Sequence, residues 1–450
     1  MDAFNENSNE QQAQQPMGCL HRFSKTIKVV IIGLLILLLM IPMFMIENLI
    51  SERGRTQEEA IDEVSEKWSL AQTITGPYLN LQYPVVTENN GEKKVSIKDL
   101  ILFPDELMVN GQLKTEILKR SIYEVNVYQS ELTLKGSFSS EELKKSRIDM
   151  DQLQFDRAAI CLNLTDMRGI SEQISITLGD SVYIFEPGMD NRGIANTGVH
   201  AIANLSELKQ NKKLPYEIKI KLKGSQSLNF IPLGKTTRVD LKANWNTPSF
   251  TGNYLPNNRN ITEKEFSAQW QVLNLNRNYS QVMVDYNTSN IKDIENSSFG
   301  VNFKIPVEQY QQSMRSAKYA ILIILLTFGV IFFTEIMNKT RIHALQYLLV
   351  GLALCLFYSL LLSFSEHIGF NPAYLLSSAL TIILVGGYMF GITKKKKPSL
   401  IMSGLLGILY LYIFVLIQLE TFALLAGSLG LLIILAMVMY FSKKIDWFNE

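Results

Sequence analysis

The sequence has little cysteine and almost no net charge, and each shortage excludes a class of protein. Its 450 residues include three cysteines, Cys19, Cys161 and Cys355, which lie in three different zones of the chain. Neither a zinc cluster nor a disulfide framework can be built from cysteines placed in this way. The formal net charge is +1 and no basic stripe is present, which argues against a nucleic-acid partner. We expect no metal site and no cofactor.

Hydrophobic residues make up 47% of the chain, and the longest apolar runs lie near its two ends. The first run, residues 29–46, has 18 residues without a charge. As a helix it is about 27 Å long and can cross a hydrocarbon core of about 30 Å. It ends in bulky residues instead of the small ones that signal peptidase requires, so we interpret it as an uncleaved anchor. Five more runs that are long enough to span a bilayer follow at residues 319–337, 344–364, 372–392, 400–419 and 422–441.

The basic residues outside these runs predict the orientation in the membrane. They cluster before the first run, at Lys339 and Arg341, at residues 394–397 and at Lys443-Lys444. All of these positions are cytoplasmic if the N-terminus is, as the positive-inside rule requires. Residues 1–28, whose first part is rich in Asn and Gln, are then a disordered cytoplasmic N-terminus, and residues 442–450 are a cytoplasmic tail. Residues 51–316 are predicted to form a large domain on the outer side of the membrane.

The outer segment has the two-residue period of β-strands along much of its length. Residues 78–83 (YLNLQY) and 124–128 (EVNVY) alternate between apolar and polar side chains. Turn residues separate these runs from further strand candidates at residues 131–136, 159–164, 174–178, 181–185, 216–222, 237–244 and 268–274. This spacing predicts a β-rich domain, either a sandwich or a pair of stacked sheets with antiparallel strands. Residues 57–68 carry the stripe of an amphipathic helix docked on that domain, and a helical stretch at residues 140–145 is the expected seam if the domain has two cores.

The outer segment contains one cysteine and one histidine, Cys161 and His200, and nothing in their spacing predicts that they meet. Cys161 lies in an apolar alternation that indicates a buried small residue, and we expect His200 to be structural as well. Two similar pentads, DMRGI at residues 166–170 and DNRGI at residues 190–194, follow strand candidates. They form either a ligand-facing pair or ordinary turns whose arginines pair with nearby carboxylates.

The sequence lacks the usual signatures of enzymes and transporters. The outer segment and the cytoplasmic loops contain no G-x-S-x-G elbow, no H-E-x-x-H and no P-loop. No charged residue or histidine lies near the middle of an apolar run, where proton and ion pathways usually have one. Glu335 and Glu420 are close to the ends of their runs, where we expect both to reach water. These absences weaken an enzymatic or a transport function without excluding either.

A series of short motifs runs through the outer segment. Its members include ISER at residues 50–53, DMRGI at 166–170, FEPG at 185–188 and GVHA at 198–201. The densest part, residues 222–270, holds LKGS, FIPLG, PSF and FSAQW, with Trp245 between them. Over about residues 45–440 this pattern resembles the family of bacterial inner-membrane proteins called CreD, or cell envelope integrity protein CreD.

The resemblance implies one N-terminal transmembrane helix, a large β-rich (α+β) periplasmic domain at residues 51–316 and a C-terminal bundle of five transmembrane helices in the Gram-negative inner membrane. It also implies a role in cell envelope integrity and in the envelope-stress response, and it brings no established reaction. Ten residues make up the candidate interaction or structural motif, none of them expected to be catalytic: Asp166, Arg168, Gly169, Pro187, Gly188, His200, Trp245, Pro248, Phe250 and Trp270.

From these observations we expect a non-enzymatic protein whose periplasmic domain binds another envelope component. The expected partners are membrane lipids and an unidentified envelope protein or precursor. Two alternatives remain open. One is a membrane-bound enzyme that acts on lipid or peptidoglycan precursors, and the other is a transporter of a small solute or a lipid.

Overall fold

One long helix, α1 (Ser24–Trp68), contains both the first apolar run and the amphipathic stretch that follows it. In this computed structural model the chain divides into two units. Met1–Thr56 and Val307–Glu450 form the first, here called the membrane unit, and Gln57–Pro306 forms the second, here called the β unit. The structure describes residues 24–89, 92–145, 148–189, 194–195, 197–210, 212–284, 288–303, 308–338, 341–419 and 422–443.

Seventeen strands, two short α-helices and four 3-10 turns are the regular elements in the described part of the β unit after α1. The helices are α2 (Glu141–Lys145) and α3 (Thr288–Asn296). The strands are β1 (Gln72–Asn89), β2 (Glu92–Leu102), β3 (Glu106–Arg120), β4 (Tyr123–Phe138), β5 (Ala158–Leu164), β6 (Ser175–Leu178), β7 (Ser181–Ile184), β8 (Glu186–Pro187), β9 (Gly198–Ala203), β10 (Leu214–Ser225), β11 (Ser227–Phe230), β12 (Thr236–Ala243), β13 (Ser249–Gly252), β14 (Asn258–Ile261), β15 (Phe266–Leu273), β16 (Val282–Val284) and β17 (Phe299–Asn302). Each strand predicted from the alternation of side chains coincides with or overlaps one of these.

The strands form two sheets. The nine-stranded sheet has the order β13-β17-β11-β1-β5-β9-β8, with β2 beside β1 and β16 beside β2. The eight-stranded sheet has the order β14-β15-β12-β3-β4-β10-β6-β7. Two pairs, β1 with β11 and β3 with β12, are parallel, and long stretches of chain separate these partners, as parallel pairing requires. The other pairs in these orders are antiparallel, which confirms the predicted pair of sheets.

The main hydrophobic core has side chains from both sheets, such as Ile74 of β1 and Val109 of β3. Leu143 of α2 belongs to this same core and is fully buried. The prediction of a helix near residues 140–145 is confirmed. The seam expected there if the domain had two cores is not found, because Leu143 anchors α2 in the main core and Gln57–Pro306 forms one unit.

A second core covers the other face of the nine-stranded sheet. Tyr78 of β1 and Cys161 of β5 belong to it, because neighbouring positions on a strand face opposite sides. Met189, Ile194 and Ile294 of α3 pack against them. The centre of this sheet is therefore buried on both faces, which explains why every residue of β5 is buried.

The last three turns of α1, from Gln57 to Trp68, pack within the β unit, as the amphipathic pattern predicts. Arg120 Nη2 lies 3.0 Å from Glu63 Oε1, and Trp68 Nε1 donates to the carbonyl of Tyr128 at 3.5 Å. Ser65, on the same side of the helix, is 1% exposed. The chain thus enters the β unit as a helix that is already fixed to the sheets.

The described part of the membrane unit contains α1 up to Thr56 and six further helices. These are α4 (Glu308–Lys318), α5 (Ala320–Asn338), α6 (Ala344–Ile368), α7 (Phe370–Thr393), α8 (Lys396–Gln418) and α9 (Ala423–Ser442). Five helices of the described chain, α1 and α5 to α8, are long and apolar enough to cross a membrane. This confirms the fold class of an N-terminal apolar helix, a central β-rich region and C-terminal apolar helices. The described apolar part of α9 is shorter, at Leu425–Met437, so the sixth span stays a prediction.

Glu335 of α5 is buried and paired, so the expectation that it reaches water is wrong. Its carboxylate accepts a charge-assisted hydrogen bond from Lys28 Nζ. The same carboxylate accepts from Ile342 N and from Tyr347 Oη, each at 3.1 Å. These contacts join α1, α5 and α6, and they satisfy a charge that would otherwise be costly between apolar helices. Glu420, the second acidic residue predicted to reach water, lies outside the described residues.

Candidate functional site

The first three of the ten candidate residues form a polar clamp at the end of α1. Asp166 begins a 3-10 turn, and its Oδ1 accepts from Arg168 N at 3.1 Å. Its Oδ2 accepts from Leu70 N and from Arg168 Nη2, both at 2.9 Å. Arg168 Nη1 donates to the carbonyl of Glu66 at 2.6 Å, in the last turn of α1, where a positive charge is favourable.

Gln72 and Gly169 complete this clamp. Gln72 Nε2 donates to the carbonyl of Asp166 at 2.8 Å, and Asp166 N donates back to Gln72 Oε1 at 3.3 Å. Gly169 lies so close to Lys223 that a Cβ on it would be 2.3 Å from the Lys223 carbonyl oxygen. The α1 clamp, formed by Leu70, Gln72, Asp166, Arg168 and Gly169, therefore holds the helix end against the turn.

Asp166 is ionised in the α1 clamp. Burial acts to raise the pKa of its carboxyl, but the hydrogen bonds from Arg168 and Leu70 act in the opposite direction and prevail. The pKa of Asp166 is therefore held below its ordinary value. The same ion pair raises the pKa of Arg168. The negative charge of Asp166 stabilises the fold, and the groups that donate hydrogen bonds to it, from Arg168 and Leu70, belong to the α1 clamp.

The next three candidate residues lie at one edge of the nine-stranded sheet. Pro187 is in β8, and Gly188 after it has a φ of 93°, which favours glycine. His200 of β9 donates from Nδ1 to the carbonyl of Gly188 at 2.7 Å. His200 also stands opposite Cys161 in the β5 and β9 register, so the fold brings together two residues whose spacing predicts no contact. Cys161 is fully buried, which confirms that it is a small core residue.

Two of the last four candidate residues, Phe250 and Trp270, belong to an aromatic group that joins the two sheets. Phe250 of β13 and Trp270 of β15 have ring centroids 5.7 Å apart, and Trp270 Nε1 donates to the carbonyl of Tyr254 at 3.2 Å. Trp245 packs against the main core and donates to the carbonyl of Thr247. Pro248 is half-buried just before β13. The ten residues thus fall into three groups with separate partners and do not form one pocket.

A polar pocket of about 240 Å³ opens beside the second core of the β unit. Thr73 and Thr75 of β1 line it because Ile74 between them points into the main core. Asn163 stands opposite Thr75 in the β1 and β5 register. The remaining lining residues are Leu164, Thr165, Ile194, Ala195, Thr197, Ile231, Ile294, Glu295 and Ser298. We call this the threonine pocket.

Asn163 determines the shape of the threonine pocket. Its Nδ2 donates to the carbonyls of Ala195 and Thr197 at 3.1 and 2.8 Å, and its Oδ1 accepts from Tyr78 Oη at 2.7 Å. Tyr78 Oη in turn accepts from Ile194 N at 2.8 Å. The buried amide of Asn163 therefore holds the segment that contains Ala195 and Thr197 against the nine-stranded sheet. The groups near solvent are therefore threonine and serine hydroxyls and the exposed carboxylate of Glu295.

The lining of the threonine pocket favours binding over catalysis. The described lining residues include no cysteine, histidine or lysine, and hence no nucleophile paired with a base. Hydroxyls, one carboxylate and apolar walls suit a ligand that offers hydroxyl or amine groups. None of the ten candidate residues lines this pocket. Ile194 of the second pentad does, and residues 190–193 of that pentad lie outside the described residues.

Apolar helices long enough to cross a membrane, with a two-sheet β unit inserted in the sequence after the first of them, define a multi-pass membrane protein. The family described as Inner membrane protein CreD matches residues 24–448. The chain is also 32% identical over 420 residues to Inner membrane protein CreD of Escherichia coli (strain K12), covering 92% of this chain and 91% of that protein. The chain therefore belongs to the CreD family of inner membrane proteins, which confirms the resemblance seen in its motifs.

Proposed function

We propose that this protein supports the integrity of the cell envelope and its stress response by binding an envelope component through the β unit. The threonine pocket carries this proposal, because it is open, lined by hydrogen-bonding groups and formed within the β unit alone. The β unit lies in the sequence between α1 and the C-terminal apolar helices, so it stays close to the bilayer. That placement suits a partner or precursor that is itself bound to the membrane or close to it.

Two features of the structure support binding over the enzymatic and transport alternatives. Cys161, which has the histidine of the β unit as its neighbour across the strands, is fully buried and out of reach of a substrate. Glu335, the buried carboxylate of α5, already has Lys28, Ile342 N and Tyr347 as partners. Cys161 is thus buried and Glu335 already has partners, so neither side chain is available for catalysis or ion transport.

The proposed orientation puts both termini in the cytoplasm and the β unit in the periplasm, as the basic loops favour. A cysteine in place of Thr177, which is exposed on β6, should react with a membrane-impermeant maleimide in intact cells. A cysteine in place of Lys396, which is exposed at the start of α8, should react only after the inner membrane has been opened. The reverse pattern of labelling would contradict this orientation.

Photocrosslinking tests the threonine pocket. A photoreactive residue at Thr197, which is exposed beside the pocket, should give a discrete adduct with an envelope component in living cells under envelope stress. The matched control is the same photoreactive residue at Thr177, another exposed threonine, which lies on the eight-stranded sheet and should not give that adduct. A folded Thr197 variant without an adduct would contradict the proposed site. Turnover of a lipid or peptidoglycan precursor by the purified protein would contradict the non-enzymatic role.

A further inference from the structure

A polar groove of about 460 Å³ lies on the face of the eight-stranded sheet that points away from the main core. Its floor is the antiparallel pair of β12 and β15, where Arg238 stands opposite Gln271 and Asp240 stands opposite Gln269. These side chains share one face because Val239, between the two residues of β12, points into the main core. The groove shares no lining residue with the threonine pocket.

Amide side chains make up most of the lining of this groove, which we call the amide groove. The amides belong to Asn257, Asn258, Gln269, Gln271 and Asn276, and all five residues are exposed. Each amide offers hydrogen-bond donors and an acceptor on one planar group. The groove can therefore donate to a ligand and accept from it at neighbouring positions.

The same face of the sheet has a different composition farther from β15. On β4 and β10 it carries charged residues that pair with one another, such as Lys135 and Glu217, whose Nζ and Oε2 are 3.2 Å apart. Lys135 is in the same row as Arg238, because Met108 of β3 pairs with both residues. The sheet thus meets water with charges elsewhere, and the concentration of uncharged amides near its edge points to a ligand.

Hydrogen bonds to the backbone fix the borders of the amide groove. Asn257 Oδ1 accepts from Gln271 N at 2.7 Å, and Asn257 N donates to the carbonyl of Gln269 at 2.8 Å. After β15, Asn276 Oδ1 accepts from Leu273 N at 3.0 Å within a 3-10 turn. The groove is therefore formed before a ligand arrives, which lowers the cost of ordering the chain on binding.

The amide groove holds one charge of each sign. Arg238 and Asp240 are two residues apart on β12, and Arg238 Nε donates to Gln271 Oε1 at 3.4 Å. Within the described ranges of the chain, no ion pair joins Arg238 to Asp240. The two charges cancel in sum, and a ligand with a net charge would meet a like charge at one of the two positions.

A neutral sugar chain matches these features. Its hydroxyl groups donate and accept, as the amides do, whereas an apolar ligand would leave the amides without partners. Leu273, which is 39% exposed in the lining, offers a contact for the C–H groups of a sugar ring. The volume of the groove falls within the range of about 300–1,000 Å³ that is usual for small-molecule sites.

We propose that the amide groove binds a short stretch of a neutral oligosaccharide. Gln269 and Asp240, which face each other across β15 and β12, hydrogen-bond to the sugar hydroxyls from the floor. This site is separate from the threonine pocket, so it stands or falls independently of the binding role proposed for that pocket.

The full chain in nanodiscs, titrated with chitotetraose and with maltotetraose, provides the test. Saturation-transfer NMR should show saturable binding of at least one probe with a dissociation constant of at most about 1 mM, above the background of empty nanodiscs. Chitotetraose carries acetamido groups and maltotetraose carries hydroxyl groups alone, so the tighter probe identifies the class of sugar. Failure of both probes to bind would overturn the proposal.

Variants of the floor assign that binding to the amide groove. Gln269→Ala should weaken it by about three- to tenfold, and Asp240→Ala by about tenfold or more, because hydrogen bonds to a charged group are stronger. Gln129→Ala is the matched control, since Gln129 is an exposed amide on β4 of the same sheet and lies outside the lining. An unchanged affinity in both floor variants, or an equal loss in Gln129→Ala, would overturn the proposed site.

Discussion

Replacing Asp166 by alanine is expected to lower the free energy of unfolding of the β unit by about 3 kcal/mol. The change removes a buried carboxylate that accepts from Arg168 and Leu70 and leaves Leu70 N without its partner. This loss is at the lower end of the range expected when a buried ion pair is broken. The Arg168 side chain is 56% exposed, so water screens part of its attraction to Asp166. Urea unfolding followed by tryptophan fluorescence measures it, since three of the four tryptophans are in the β unit.

A nearby exposed ion pair supplies the control. Lys221 Nζ and Glu172 Oε1 are 2.8 Å apart, but both side chains are about half exposed. Glu172→Ala should therefore lower the free energy of unfolding by less than about 1 kcal/mol. An equal loss in the two variants would show that the α1 clamp contributes no more than a surface pair.

The same clamp should make stability depend on acid pH. A carboxyl whose pKa is lowered in the folded state stabilises the fold above its unfolded pKa of about 3.9. That contribution is lost as the pH falls through the folded pKa of Asp166, which lies below its ordinary value. The Asp166→Asn variant should therefore be less stable at neutral pH and should lose less of its stability on acidification. Parallel losses in the two proteins would contradict an ionised Asp166.

Replacing Gly169 by alanine is expected to lower the free energy of unfolding by about 3 kcal/mol or more. The added Cβ would be 2.3 Å from the carbonyl oxygen of Lys223 and 2.8 Å from both Gln72 Nε2 and Ser69 Oγ. The backbone of β10 cannot move away without disturbing its pairing with β4. Urea unfolding and the amount of protein in the membrane fraction should both report the loss.

Gly188 is the matched control for Gly169, because it is also a glycine of the predicted motifs but has open space around it among the described residues. None of their atoms lies within 4 Å of a Cβ built there, so the strain expected there comes from its φ of 93°. Gly188→Ala should cost about 1 to 2 kcal/mol from that strain. A larger loss at Gly188 than at Gly169 would contradict tight packing in the α1 clamp.

The strands predicted from alternation were found where the alternation is regular, but nine strands were missed, and the long strand β3 is one of them. Its inner face carries Leu107, Val109 and Leu113, with Gly111 between them. Gly111 interrupts the apolar pattern because the side chains of Leu132 and Leu241 occupy the space above it. The reason for that glycine lies on two other strands, so the local sequence does not contain it.

The ten candidate residues could be identified from the local sequence, but the threonine pocket could not. Dense motifs identified residues such as Asp166 and Trp270, and the structure gives both of them contacts within the fold. The threonine pocket was missed because its residues come from β1, the end of β5, the segment near Thr197, Ile231 after β11, and the region of α3. Threonines have no characteristic spacing, so only the folding of five distant segments brings the lining together.

Contiguous patterns were enough to predict the apolar helices and the alternating strands, because a helix or a strand depends mainly on residues close to one another in the chain. The family also follows from such patterns, since its motifs are short and local. The pairing of Lys28 with Glu335 and the register of Cys161 with His200 join residues far apart in sequence. Such contacts depend on how sheets and helices pack, and packing brings together residues from distant parts of the chain.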